Sequence, residues 1–289
     1  MQLIRENRPY EDYLAAKGPV NRDEARVSFV AEHLMGQVAT WLEGADAETW
    51  SDPETILTKL TYEYVRDKIA NSLPDATSKL TWKASEVLNE KTGTDFAKAN
   101  LLAALLRRNG IPAGFAYQYR RDGEHLVLHA LNAVYLESLG GWLRLDASYQ
   151  PTSTEHSALD KDLAEFSTVD SDALVWSVNP ALGEDNLPIL YAEPDEQLAK
   201  LFTQATSLQD FLALRPARLT SREHDHDHGN ATADDTARAV TGSARVLKGP
   251  DNSGHDDQLL DMLYGDPDDD DFNSCGSGSC AGCSGGCGG

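Results

Sequence analysis

The cysteines have the clearest potential for chemistry, because a thiolate can act as a nucleophile or as a metal ligand. All four lie in the last fifteen residues, spaced C-x4-C-x2-C-x3-C: Cys275, Cys280, Cys283 and Cys287. The first two spacings match the plant-type iron–sulfur run, but Gly and Ser surround the thiols, which disfavours a preorganised cluster. Zinc binding that orders the segment only when the metal is present is the favoured metal-based interpretation.

Two other interpretations of this Cys-rich end stay open. Its Cys and Ser residues are arranged in the style of azole-containing ribosomal peptides, whose side chains are cyclised by partner enzymes. A low-complexity tail without a dedicated role is the second. No cysteine precedes residue 275, so a disulfide framework is excluded for the rest of the chain and no thiol is present there.

A histidine run forms a second candidate metal site. His224, His226 and His228 alternate with aspartates, and imidazole is a good ligand for Zn²⁺ and Ni²⁺. The alternative is a solvated acidic segment in which the histidines bind nothing specific, which is the commoner outcome for such runs.

Composition divides the chain near residue 220. Residues 221–289 hold 14 acidic and 4 basic side chains and few apolar ones, so they cannot offset the entropy lost on ordering. We predict a disordered tail there, with one short helix at 256–264. The expected organisation is an N-terminal helical region at 1–60, a core with its C-terminal helix at 61–220, and the tail at 221–289.

Periodicity predicts the elements of the body. Apolar residues at helical spacing predict helices at 23–42, 53–70, 95–109 and 195–212. Alternating apolar residues predict strands at 114–121, 126–136 and 142–149, with a hairpin turn at 138–141 joining the last two. The 95–109 segment is apolar on nearly every face, which is typical of a buried helix. A buried helix followed by an antiparallel sheet predicts an α+β fold.

The charge balance limits the classes of partner. With a net charge of −22, the chain lacks the basic footprint of a nucleic-acid-binding protein and is disfavoured at anionic membranes. No apolar run approaches the ~20 residues of a membrane span. The N-terminus has no basic region followed by an apolar one, so we expect a cytoplasmic protein.

The middle of the chain resembles a known family. The motifs LLRRNGIPAG, HALNAVYL and WLRLDA, all within residues 84–149, resemble the transglutaminase-like superfamily, and more closely its bacterial cysteine-protease group. The resemblance extends over roughly residues 10–212 and is most specific in the middle third. It implies a papain-like α+β fold in which a central helix packs on an antiparallel sheet.

The same resemblance implies a catalytic triad with one departure. His129 in HALNAVYL matches the family histidine, and Asp146 in WLRLDA matches the family aspartate. At the position of the nucleophilic cysteine, at the start of the central helix, this chain has Asp95. A helix N-terminus lowers the pKa of a thiol, whereas it makes an aspartate a better cap and a more fully ionised, poorly nucleophilic group.

Three functions are compatible with this pattern. The favoured one is a degenerate member that binds a peptide or protein partner and requires no cofactor. The second is an amide or ester hydrolase, or an acyltransferase, that uses His129 and Asp146 with Asp95 or water. The third is a carrier of the Cys-rich tail, with zinc as its possible metal. An idealised hairpin would place His129 opposite Gln150, so the pairing of His129 with Asp146 rests on the resemblance alone.

Overall fold

The structure is a computed structural model that describes residues 3–44, 52–72, 79–148, 166–168 and 175–219. The predicted disordered tail and its helix at 256–264 lie outside these ranges. So do the candidate metal ligands of the tail, which are His224, His226, His228, Cys275, Cys280, Cys283 and Cys287.

Six α-helices and eight short or long strands are present in the described residues. The helices are α1 (Ala25–Glu43), α2 (Pro53–Lys68), α3 (Ala84–Glu90), α4 (Asp95–Arg108), α5 (Glu196–Gln204) and α6 (Leu208–Leu214). The strands are β1 (Ile4–Arg5), β2 (Ala70–Asn71), β3 (Thr92–Gly93), β4 (Ala113–Asp122), β5 (His125–Leu136), β6 (Gly141–Leu145), β7 (Asp185–Asn186) and β8 (Ile189–Leu190).

The main sheet is antiparallel, with the strand order β6-β5-β4-β7. The predicted hairpin between β5 and β6 is confirmed, but its predicted register is wrong by two residues. Leu136 pairs with Gly141, because a 3₁₀ turn followed by left-handed Gly140 (φ 57°) makes a four-residue loop instead of a two-residue one. Continued past the end of β6, this register places Ser148, not Gln150, opposite His129.

Helix α4 is the buried centre, as predicted. Twelve of its fourteen residues are buried, and it shares one hydrophobic cluster with α1, α2, β4 and β5. Because α2 runs across residue 60 and packs into this cluster, the helical region predicted at 1–60 and the core predicted at 61–220 have a common interior. The fold is α+β, with helices on a mainly antiparallel sheet.

The helix predicted at 195–212 is two helices, α5 and α6. The break falls at 205–207, where Ser207 is the N-cap of α6 and its hydroxyl accepts a hydrogen bond from the Asp210 amide (3.1 Å). A Ser or Thr side chain can bond to nearby backbone groups and so competes with helix continuation. Apolar spacing persists through the break, which is why periodicity alone joined the two helices.

Arg107 at the end of α4 ties three chain segments together. Its guanidinium is fully buried and donates to the carbonyls of Ala113 (2.9 and 2.6 Å), Ala15 (2.9 Å) and Ala192 (2.6 Å). Burial lowers its pKa to about 10, and its charge is solvated by these carbonyls and by the nearby ring of Phe115. The planar fork of five N–H groups is what allows one side chain to reach all three segments.

We therefore expect Arg107→Lys to destabilise the fold strongly. A single ammonium cannot reach all three carbonyls, and each charge-assisted bond left unmade in the interior costs about 2 kcal/mol. The free energy of unfolding in urea measures the effect. The matched control is Arg108→Lys, because the adjacent Arg108 makes a partly exposed ion pair with Glu32 (2.8 Å) and should lose well under about 1 kcal/mol. Equal losses at the two positions would contradict the role given to Arg107.

A buried acid–imidazole cluster at the start of the central helix

Asp95 is the first residue of α4, but it does not cap the helix. The N-cap is Thr94, whose hydroxyl accepts from the amide of Ala97 (3.3 Å). The Asp95 carboxylate instead crosses to β5, where its Oδ2 accepts from the amide of Ala130 (3.0 Å) and lies 3.0 Å from Nδ1 of His129. The helix-capping interpretation of Asp95 is therefore wrong for its side chain, which joins the helix to the sheet.

His129 is bound at both ring nitrogens. Its Nε2 lies 2.7 Å from Oδ2 of Asp146, the residue that follows β6. The other oxygen of Asp146 accepts from both the amide (3.0 Å) and the hydroxyl (2.6 Å) of Ser148. The shifted hairpin register brings Asp146 to a position diagonal to His129 and leaves Ser148 available to orient the carboxylate.

Arg215 completes the cluster from the far end of the described chain. It follows α6, its Nη2 donates to Oδ2 of Asp95 (3.3 Å) and to the carbonyl of Leu128, and its guanidinium lies 5.1 Å from the ring centre of Phe96. No local motif marks Arg215, because its partner Asp95 lies 120 residues earlier in the sequence.

All four side chains are largely removed from solvent. Their exposed fractions are 0% for Asp146, 6% for His129, 11% for Asp95 and 16% for Arg215. With His129 protonated, the two carboxylates, the imidazolium and the guanidinium sum to zero charge. Such a balance is what allows ions to be buried together.

The electrostatics favour the charged form of each group. Burial would raise the pKa of Asp95, but the charge of Arg215 and the bond from His129 outweigh it and hold that pKa well below its ordinary value. Burial likewise opposes ionisation of Asp146, and His129 reverses the effect. For His129, burial would lower the pKa, but Asp146 and Asp95 raise it above its ordinary value of 6.5.

The arrangement favours the protonated form of His129, because a carboxylate oxygen lies 3.0 Å from Nδ1 and another lies 2.7 Å from Nε2. A general base needs a ring nitrogen with a free lone pair, and here each nitrogen faces a carboxylate oxygen. The cluster connects the start of α4 to β5 and to the end of β6.

Within the described ranges, no three His, Cys, Asp or Glu side chains are grouped to hold a metal ion. Nor does any helix described have the length and apolar character to cross a membrane.

We expect Asp95→Asn to lower the free energy of unfolding by about 3 kcal/mol at pH 5–6, because it leaves two buried cations with one carboxylate. Chemical unfolding measures the loss, with Asp12→Asn as the control because Asp12 belongs to a partly exposed network with Arg8 and Lys17.

The pH dependence of this loss follows from the two kinds of pKa shift. Lowered carboxyl pKa values stabilise the fold above the ordinary value of 3.8, and this contribution fades as the pH falls further. The raised pKa of His129 stabilises the fold below 6.5, and its contribution fades as the pH rises through the folded-state pKa. The difference between parent and variant should thus be largest between these limits; a difference independent of pH would contradict the ionic cluster.

Comparison with known proteins finds similarity over part of the chain. Residues 45–147, which contain Asp95, His129 and Asp146, match the family model of the transglutaminase-like superfamily. Among solved structures, a candidate cysteine protease from Cytophaga hutchinsonii is 18% identical with a TM-score of 0.35, and the match covers 47% of this chain and 40% of that one. No curated protein matches the chain.

Proposed function

We propose that this protein is a catalytically inactive transglutaminase-like protein that binds a peptide or protein partner. The observation that carries the proposal is the state of His129, whose two ring nitrogens are both engaged by carboxylates, at 3.0 and 2.7 Å. Acyl transfer by a nucleophile–histidine pair requires the ring to take up a proton and return it. Here the group beside Nδ1 is the Asp95 carboxylate, which has no proton to give up, so the ring cannot begin that cycle.

The nucleophile is also missing. No cysteine precedes residue 275, and the group within reach of the histidine is the Asp95 carboxylate. Its Oδ2 lies within 3.3 Å of the Ala130 amide, of Nδ1 of His129 and of Nη2 of Arg215, and these three groups stabilise its negative charge. A carboxylate is a weak nucleophile toward amides, and these bonds weaken it further.

The same contacts argue against a hydrolase that uses water. For His129 to activate water, one ring nitrogen would have to leave its carboxylate, and a buried ion would lose its partner. Arg215 also occupies the side of Asp95 that faces α6, where its Nη2 lies 3.3 Å from Oδ2. We infer that this scaffold keeps the fold of an acyl-transfer enzyme and supports recognition without turnover.

Restoring a thiol tests this proposal. We expect the parent to show no turnover of p-nitrophenyl acetate above background, since loss of a triad nucleophile typically costs about 10⁶ in turnover. Asp95→Cys in combination with Arg215→Gln should gain thiol-dependent activity, because the sulfur then stands beside a histidine without a competing guanidinium. Asp95→Cys alone should gain less, because Arg215 still blocks one approach to the sulfur.

The controls separate residue 95 from the other thiols. The parent carries the same four tail cysteines, so it reports any background thiol reaction. Asp95→Asn lacks a nucleophile and should stay inactive. Turnover by the parent that disappears in His129→Ala would overturn the proposal and favour the hydrolase.

A further inference from the structure

Two polar side chains beside the cluster are not used by it. Gln118 on β4 lies directly opposite His129 on β5, and Arg120 follows two residues later, so both point to the same side of the sheet as His129. Trp176 contacts both of them: its backbone carbonyl accepts from Gln118, and its ring stacks with Arg120.

Arg120 is a cation whose N–H groups have no acceptor among the described residues. Its guanidinium carbon lies 3.7 Å from the centre of the Trp176 ring, and the side chain is half-buried. This stacking occupies a face of the guanidinium and leaves the N–H groups at its edge unpaired, which is the geometry that binds a carboxylate through two bonds.

Among the described residues, three carboxylates influence the charge of Arg120, and all three are engaged elsewhere. Asp146, Asp95 and Glu184 are close enough to influence its charge. Asp146 and Asp95 are held within the cluster, and the two oxygens of Glu184 accept from the amides of Arg121 (2.8 Å) and Asn179 (2.7 Å). Arg120 therefore has no carboxylate partner among the described residues, and its guanidinium can pair with a carboxylate of a ligand.

Gln118 supplies the complementary half of a site. Its side chain is fully buried, and its Nε2 donates to the carbonyl of Trp176 (3.0 Å) and to Oδ1 of Asn186 (2.7 Å). Its Oε1 is buried and has no donor. A buried acceptor without a donor is costly, and a ligand N–H would relieve that cost.

We propose that Gln118, Arg120 and Trp176 form a binding site for the free C-terminus of a peptide. The terminal carboxylate binds the N–H edge of Arg120, and an amide N–H next to it donates to Oε1 of Gln118. A peptide C-terminus carries this donor and this anion on one Cα, whereas in an Asp or Glu residue the side-chain carboxylate lies one or two methylenes further from the backbone N–H. This inference rests on the proposed function, because it names the ligand that a peptide-binding scaffold of this kind would recognise.

The minimal probe is N-acetylglycine, which has one carboxylate and one adjacent amide N–H. Titrated into the full-length protein, it should shift the side-chain N–H resonances of Trp176 and Arg120 in a saturable way. N-acetylglycinamide lacks the negative charge and should bind at least about tenfold more weakly, because it cannot form the charge-assisted pair. Acetate has the charge without the N–H and should also be weaker than N-acetylglycine.

Matched variants locate the site. Arg120→Gln should remove the response to N-acetylglycine. Arg121→Gln should keep it, because Arg121 points to the other side of β4 and donates to the carbonyls of Leu182 (3.1 Å) and Glu124 (2.8 Å). Unfolding curves of both variants, together with the probe comparison on the parent, separate loss of binding from loss of fold.

The remaining outcomes each overturn the proposal. Equal binding of acetate and N-acetylglycine would reduce the site to a general anion site, and equal binding of the amide would exclude recognition of the carboxylate. An unresponsive parent would exclude the site altogether. Each of these results would leave the absence of turnover untouched, so failure here is distinguishable from failure of the proposed inactivity.

Discussion

The contact of His129 with two carboxylates, one at each ring nitrogen, is the interaction on which the rest of the structure depends. It connects the first residue of α4, the middle of β5 and the residue after β6, which are far apart in sequence. Arg215 adds the second positive charge and connects the C-terminal helices to the same point. Because the cluster is buried, its members can stay ionised only together, and each one requires the others.

This interdependence bears on the proposed inactivity, because the residue at position 95 determines what His129 can do. A cysteine at the start of α4 would leave one ring nitrogen of His129 free to exchange a proton, and the helix N-terminus would help to ionise the sulfur. An aspartate at the same place receives the same help from the helix but gives up no proton at neutral pH. The low pKa of Asp95 keeps its negative charge beside the ring, and this charge helps to raise the pKa of His129.

The sequence permits a large part of this description to be predicted. The apolar faces of α4 and the alternation in β4 and β5 are strong local signals, and the α+β fold follows from them. The motifs HALNAVYL and WLRLDA identify His129 and Asp146, and the family resemblance places Asp95 beside them, where the structure also brings all three together.

What could not be predicted depends on contacts between distant residues or on local hydrogen bonds. A basic residue such as Arg107 is favourable at any helix end, and nothing in the local sequence indicates that its side chain reaches a carbonyl 92 residues away. The four-residue loop of the hairpin shifted the register, and Ser207 divided a continuous apolar pattern into two helices. Neither Arg215 nor the site around Arg120 has a local signature, because their partners are set by tertiary packing.

The protonation state of His129 tests the central claim most directly. Long-range ¹H–¹⁵N NMR spectra of the side-chain nitrogens, recorded from pH 5 to 9, distinguish an imidazolium from either neutral tautomer, with exposed His125 on the same strand as an internal reference. We expect both ring nitrogens of His129 to carry protons at pH 7, and Asp95→Asn to shift the loss of the proton to lower pH. A neutral His129 ring at pH 7 in the parent, or a titration unchanged by Asp95→Asn, would contradict the imidazolium held between two carboxylates.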